Sequence, residues 1–288
     1  MTVDRIELDE PSQAVLREAR GLLRRKERKE AGEFLVEGRQ AVREALLTPG
    51  VVRWLFVRWS SARDNVDLVE LARSNGVPVY AVSDQNLATM SDTVTPQGVI
   101  AVARNIDITL SELFGTRRKN AAAEKKKHRR RDVALVVICA QIRDPGNAGT
   151  VIRCADAFGA DAVILSTDSV EIYNPKVVRA SVGSIFHLPV VIGVELEAAI
   201  DACRAAGMRV LATDGDAGTD LTDIASQLGC PTAWVMGNEA WGLPSEHLSL
   251  ADQTVAVPIY GHAESLNLAT AAAICLYASA SAQRASEN

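Results

Sequence analysis

Three stretches of this sequence concentrate polar side chains and glycines in a way that core-forming segments do not. The first is Q-I-R-D-P-G-N-A-G-T-V-I-R at Gln141–Arg153. Asp144-Pro145-Gly146-Asn147 has turn chemistry, and proline is tolerated at the first position of a helix, so a helix begins just beyond. Arg153 falls inside that helix among Ala148, Val151, Ile152 and Ala155. An arginine there either packs its stem with the head in water or serves a ligand. The second stretch is M-G-N-E-A-W-G-L-P at Met236–Pro244, and the third is V-P-I-Y-G-H-A-E-S-L-N-L at Val257–Leu268; T-D-G-D-A-G at Thr213–Gly218 joins them. Glycine lets the backbone approach a ligand closely, and such loops present amides to it. Neither G-x-G-x-x-G after a strand nor G-x-x-x-x-G-K-[ST] occurs, so dinucleotides and nucleoside triphosphates lack their signatures.

These loops need elements to position them. Short apolar runs at Ala134–Ile138, Ala162–Leu165, Leu188–Ile192, Arg209–Thr213, Ala233–Met236 and Thr254–Pro258 read as strands. Helices fall between them near Ala148–Phe158, Pro175–Ser181, Leu196–Ala206 and Leu266–Ala280. Continuous apolar strands alternating with helices predict a parallel sheet covered on both faces. Ligands of such sheets sit outside the carboxyl ends of the strands, which is where the four polar loops fall. Ahead of this region lies a smaller α/β pattern. Val15, Ala19, Leu22 and Leu23 recur at helical spacing over Val15–Lys29. F-L-V-E-G-R at Phe34–Arg39 reads as a strand turning into the helix Gln40–Leu47. Strands follow at Val51–Val57, Val77–Val82 and Val99–Ala103, with a helix over Asp64–Asn75.

Between the two patterns, Thr116–Arg131 holds nine Lys/Arg, one glutamate and no large apolar residue, so it cannot pack a core. It reads as a solvated spacer or a phosphate-contacting arm. The division is therefore 1–107 for a small α/β domain, which the resemblance given below makes an RNA substrate-binding domain, 108–131 for a basic flexible linker, and 132–288 for the larger domain. Residues 1–131 carry 24 Lys+Arg against 18 Asp+Glu, and residues 132–288 carry 7 against 18. The net charge of −5 thus conceals a basic front half suited to a polyanion and an acidic body. The five cysteines form no C-x-x-C pair and are odd in number, which argues against a zinc knuckle or a disulfide framework. The N-terminus has no signal-peptide pattern, and no stretch approaches the ~20 apolar residues of a membrane span. A cytoplasmic protein is expected.

N-A-G-T-V-I-R at Asn147–Arg153, G-N-E-A-W-G-L at Gly237–Leu243 and P-I-Y-G-H-A-E-S-L-N-L at Pro258–Leu268 resemble the three ordered motifs of the SpoU (TrmH-like) branch of SPOUT RNA methyltransferases. F-L-V-E-G at Phe34–Gly38 is similar to that family's substrate-binding module. The resemblance implies an α/β chain whose C-terminal domain is a trefoil-knotted parallel-sheet (SPOUT) methyltransferase, with the knot spanning roughly Thr213–Leu268. A small α/β ribosomal-protein-like (L30e-like) domain precedes it. It implies S-adenosyl-L-methionine as cofactor, no metal, a homodimer, and 2′-O-ribose methylation of structured RNA, with 23S ribosomal RNA favoured. A transfer RNA target, a base methyltransferase of the same superfamily, and a non-catalytic RNA-binding or ribosome-assembly protein are the alternatives.

The resemblance also assigns roles. Arg153 acts at the ribose hydroxyl, with Asn147, Glu239, Ser265 and Asn267 shaping the site. A guanidinium is effectively always protonated, so Arg153 serves more naturally by fixing a phosphate and stabilising the developing alkoxide. Glu239 is the one conventional base candidate, or else a carboxylate that orients its neighbours. The cofactor would be held by Thr213, Asp214, Gly215, Met236, Gly237, Asn238, Gly242, Val257, Ile259, Ser265, Leu266 and Leu268. Lys176, Arg179 and Ser181, together with Arg24, Arg25, Lys29 and Arg39, would face RNA. Trp241, a bulky departure from the motif, could stack on a base or fill a dimer interface, the interface being preferred. His262 reads as a loop histidine.

Overall fold

The computed structural model describes residues 8–93, 96–115 and 133–286. The Lys125–Arg131 run lies outside them. In chain order the elements are α1 (Gln13–Gly21), α2 (Arg25–Ala31), β1 (Glu33–Glu37), α3 (Arg39–Leu47), β2 (Val52–Arg58), α4 (Val66–Ser74), β3 (Val79–Val82), α5 (Asp84–Ala88), β4 (Val99–Arg104) and α6 (Leu110–Gly115). There follow β5 (Leu135–Cys139), α7 (Pro145–Phe158), β6 (Ala162–Ser166), α8 (Pro175–Ser181), β7 (Val190–Val194), α9 (Leu196–Ala205) and β8 (Arg209–Thr213). The chain ends with β9 (Thr232–Met236), α10 (Ser245–Leu248), β10 (Gln253–Val255) and α11 (Leu268–Ala285). They form two compact units, one of residues 1–106 with 171–187, the other of residues 107–170 with 188–288.

The first unit is built on a four-stranded sheet of order β1-β4-β2-β3, with β2 and β3 parallel and the other pairs antiparallel. The uninterrupted helix expected over Val15–Lys29 is two helices. The first helix stops at Gly21, and Arg28 secures the break: its guanidinium donates to the carbonyls of Leu22 (2.8 Å) and Leu23 (2.9 Å), acceptors that a helix end leaves unpaired. The same group is almost fully buried and forms a two-pronged pair with Glu171 at 2.7 and 2.6 Å. Helix α8 and its flanks belong to this unit. Tyr173 and Phe186 lie over Phe34 at ring separations of 4.5 and 6.2 Å, closing the core above β1.

The second unit is a six-stranded, entirely parallel sheet of order β10-β8-β9-β5-β6-β7. Every residue of β5, β6 and β9 is buried, as a sheet covered on both faces requires. Trp234 of β9 is fully buried, and its indole N–H is satisfied by Ser279 of α11 at 2.9 Å. The last strand is shorter than the apolar run Thr254–Pro258 suggests. It leaves β8 after Val255, and Ala256 pairs instead with the loop before β9: its N–H donates to Thr219 and its carbonyl accepts from Leu221. Helix α6, absent from the sequence pattern, sets Leu113 and Phe114 against the core of this unit. Among the described residues no helix is long and apolar enough to cross a membrane.

Candidate active site

The strand order reverses between β5 and β9: β6 and β7 extend one way from β5, β8 and β10 the other way from β9. Loops at such a switch point part to leave a crevice outside the carboxyl ends of the strands. Here those loops are stitched together. Ala140 N–H donates to the Met236 carbonyl at 2.8 Å, extending the β5–β9 ladder past the strand ends. Asn238, itself buried, donates from Nδ2 to the carbonyl of Gln141 at 2.8 Å. Gln141 has φ of 54°. A non-glycine residue in that region carries about 1–3 kcal/mol of strain, and its neighbours must hold it there.

Helix α7 starts as its sequence dictates. Asp144 caps it by accepting from Asn147 N–H at 2.7 Å, and Pro145 occupies the first turn. The Asn147 side chain then reaches out of α7. Its Nδ2 donates to Glu239 Oε1 (3.3 Å), and its Oδ1 accepts from Asn267 Nδ2 (2.8 Å). Glu239 also accepts from the main-chain N–H groups of Arg143 (3.2 Å) and Asp144 (3.1 Å). Asn267 caps α11 through Oδ1, which accepts from Ala269 and Thr270. Asn147, Glu239 and Asn267, one from each polar stretch, are therefore joined in a single chain of hydrogen bonds. With both oxygens engaged, Glu239 clamps the loop after β5 to the loop after β9.

Arg153 and Ser265 stand outside this chain. Arg153 is exposed on α7 and makes no ion pair among the described residues, so its guanidinium is available to an anion. The buried thiols of this unit are poor nucleophiles. Burial, reinforced by the Glu239 charge, pushes Cys139 up to about 12, and burial does the same to Cys203 and Cys275.

Two observations bear on the loops expected to hold the cofactor. The backbone groups of residues 257–266 make no hydrogen bonds to other described residues, although Val257, Pro258 and Leu266 are half-buried. Backbone donors and acceptors in that position call for a partner, which a ligand or water supplies. Gly237 is also irreplaceable by any larger residue, because a Cβ there would lie 2.4 Å from the Gly242 carbonyl carbon. That close approach lets Asn238 and Gly242 exchange hydrogen bonds at 2.8 and 2.9 Å, which closes the 238–242 turn. Thr213 hydroxyl donates to Val235 O (3.3 Å) at the base of the crevice, and Asp214 Oδ1 accepts from Asp216 N–H (3.2 Å) beside Gly215. Ile259 is partly exposed, and Leu268 is half-buried at the start of α11. Two clefts of about 180 and 380 Å³ are lined only by residues of the first unit and share no residue with these loops.

The residues expected to face RNA divide. Lys29 and Lys176 are exposed, and Arg24 and Arg25 are exposed beside Glu27 (3.3 Å) and Glu171 (3.8 Å). Arg39 is engaged by the protein itself, binding the Asp67 carboxylate through two 2.7 Å contacts and the Asp64 carbonyl at 2.8 Å. That pairing holds Asp67 below the usual carboxylate range. Arg179 bridges Glu37 and Asp92. For Ser181 the expectation is corrected: it is fully buried and its hydroxyl donates to Val178 O at 2.7 Å, so it packs α8 and meets no ligand. The sequence reading passed over Gln141, Arg143 and Arg28. The first two lie within the first polar stretch, Gln141–Arg153, but nothing in their residue types marks a strained backbone or a contact to Trp241.

A parallel α/β unit with hydrogen-bonded polar loops at its switch point, an exposed arginine that makes no ion pair among the described residues, and open backbone groups is arranged to bind a ligand at the carboxyl ends of its strands. Residues 134–277 match the SpoU rRNA methylase family, and residues 14–101 match the MRM3-like substrate-binding domain. The chain belongs to the SpoU rRNA methylase family and is an RNA methyltransferase that uses S-adenosylmethionine. It is 35% identical over 253 residues (88% of this chain, 90% of the relative) to the 23S rRNA (guanosine(2553)-2′-O)-methyltransferase RlmP of Bacillus subtilis. It is 40% identical over 136 residues, 46% of this chain and 47% of the relative, to the 23S rRNA (uridine(2479)-2′-O)-methyltransferase of Streptomyces viridochromogenes. Its fold matches the SpoU methyltransferase AviRb of that organism in complex with AdoMet, with TM-score 0.76, 31% identity, and coverage of 95% of this chain and 100% of the other.

Proposed function

We propose that this protein transfers a methyl group from S-adenosylmethionine to a ribose 2′-hydroxyl of 23S ribosomal RNA, acting in the cytoplasm as a homodimer. The observation that carries the reading is the Asn267–Asn147–Glu239 hydrogen-bond chain, with Arg153 exposed on the same helix as Asn147 and without an ion pair among the described residues. The two relatives named for 23S rRNA support the choice of RNA. Ile274 and Tyr277, partly exposed on α11, supply apolar surface that a second copy would cover.

When bound, S-adenosylmethionine supplies an electrophilic methyl group on a sulfonium sulfur. The residues to hold it are Thr213 to Gly215, Met236 to Asn238, Gly242, and the backbone of Val257, Ile259 and Ser265 to Leu268, the last of these in the segment proposed to complete a trefoil knot. Arg153 stays cationic, fixes a phosphate next to the target ribose and stabilises the negative charge that grows on the 2′-oxygen while its proton passes to solvent water. Asn147, held from both sides by Glu239 and Asn267, orients the sugar. Glu239 acts as a positioning residue.

The test is transfer of label from S-adenosylmethionine to 23S, 16S and transfer RNA that lack the modification, followed by nucleoside analysis. A labelled 2′-O-methylnucleoside in 23S RNA alone is expected. Label on a base, or only in transfer RNA, would overturn the reading.

A further inference from the structure

Trp241 and Arg143 take no part in the proposed chemistry, yet they stand on either side of Glu239's contacts. Trp241 is 52% exposed, and the Arg143 guanidinium carbon lies 5.5 Å from its ring centroid. That is within the range of a cation–π contact. The main chain that carries each of them is held in place. The turn carrying Trp241 is closed by the Asn238–Gly242 exchange and by Ala240 N–H donating to Asn238 Oδ1 at 2.8 Å, while Glu239 grips the Arg143 main chain. Arg143 forms no ion pair with an acidic side chain among the described residues. A half-exposed indole with an uncompensated guanidinium over its ring, both in the loops at the crevice, suits a π-face carrying a nearby negative charge. A nucleobase on a phosphodiester chain has that chemistry.

We infer that Trp241 and Arg143 form a stacking platform for a base of the RNA substrate, at or next to the methylated nucleotide, so that they select and seat the target. The inference rests on the RNA reading above. A rigid turn suits this work, because little side-chain freedom is lost on stacking. An interface role for Trp241 makes a different forecast, since its removal would then weaken self-association.

The experiment compares wild type with Trp241→Ala, Trp241→Leu, Trp241→Phe and Arg143→Ala in steady-state methylation of unmodified 23S RNA, with S-adenosylmethionine affinity and sedimentation velocity measured on each. Loss of one base–aromatic stack is expected to raise KM for RNA by about 5- to 150-fold in Trp241→Ala. The loss should fall on KM more than on kcat, with cofactor affinity and sedimentation unchanged. Trp241→Phe should recover most of it, whereas Trp241→Leu, equally apolar but without a π-face, should not; Arg143→Ala should show a smaller rise. Full rescue by leucine, or dissociation of the protein in Trp241→Ala, overturns the platform. A wild-type enzyme that labels no RNA would sink the functional reading instead, so the two failures remain distinguishable.

Discussion

Arg153 and Glu239, to which the proposed mechanism gives different tasks, also differ in how each is held. Glu239 is engaged by three donors, while Arg153 has no protein partner among the described residues, so only the arginine is free to meet charge that appears during reaction. Arg153→Ala should therefore lower kcat by about 100-fold or more, the usual loss for one electrostatic stabiliser. Calorimetric affinity for S-adenosylmethionine should stay within about twofold. An equal loss of cofactor affinity would place Arg153 in the cofactor pocket. The cysteines give a second expectation. The thiolate is the reactive form, and burial raises Cys139, Cys203 and Cys275 to about 12, so at pH 8 all three remain protonated. Native alkylation at pH 8 should mark exposed Cys230 and spare these three, as read by peptide mass spectrometry. Modification of Cys139 without unfolding would contradict the buried β5–β9 seam.

At the level of elements, one residue ties a helix end to the site. Asn267 caps α11 through its oxygen and restrains Asn147 through its nitrogen. Asn267→Asp keeps the acceptor and loses the donor, whereas Asn267→Ala loses both. The alanine variant should cost about 1 kcal/mol of stability in denaturant unfolding. The aspartate variant should unfold like wild type yet lose activity like alanine; full activity in the aspartate variant would detach the cap from catalysis. Much of this was legible in sequence. Asp144-Pro145 and Asn174-Pro175 announce two helix starts, and the apolar runs mark β5, β6 and β9, because caps and burial are local or periodic signals. What was not legible depends on distant partners. Gly21 ends the first helix as a local stop that the apolar spacing masks, but the capture of the carbonyls beyond it by Arg28, neutralised by Glu171 far along the chain, has no local signal. Ser181 failed as a surface residue for the same kind of reason, since periodicity shows that a helix has a buried face but not which neighbour buries it. Nor could an apolar run tell that Ala256 would turn from β8 to Thr219 and Leu221.

For the whole molecule, the charge division bears on how RNA is met. The Lys125–Arg131 run lies outside the described residues, but its chemistry still makes a forecast. Replacing its six basic residues by glutamine should weaken RNA binding and flatten the dependence of log affinity on log salt by roughly 0.7–0.9 for each lost phosphate contact, measured by filter binding across salt concentrations. An unchanged slope would identify a spacer.

The first unit does not end where its own sheet ends. After β4 the chain goes on to build β5, α7 and β6, and only then supplies Glu171–His187, which brings Tyr173 over Phe34 and Glu171 to Arg28. During synthesis the first unit must therefore wait. At roughly 5–20 residues per second, several seconds separate the emergence of β4 from that of the segment that completes its core. Through that interval Phe34 lacks its aromatic cover and Arg28 its counter-charge. The two units are thus interleaved in time as well as in sequence: a break anywhere between β4 and α8 would leave the first one unfinished rather than release it whole.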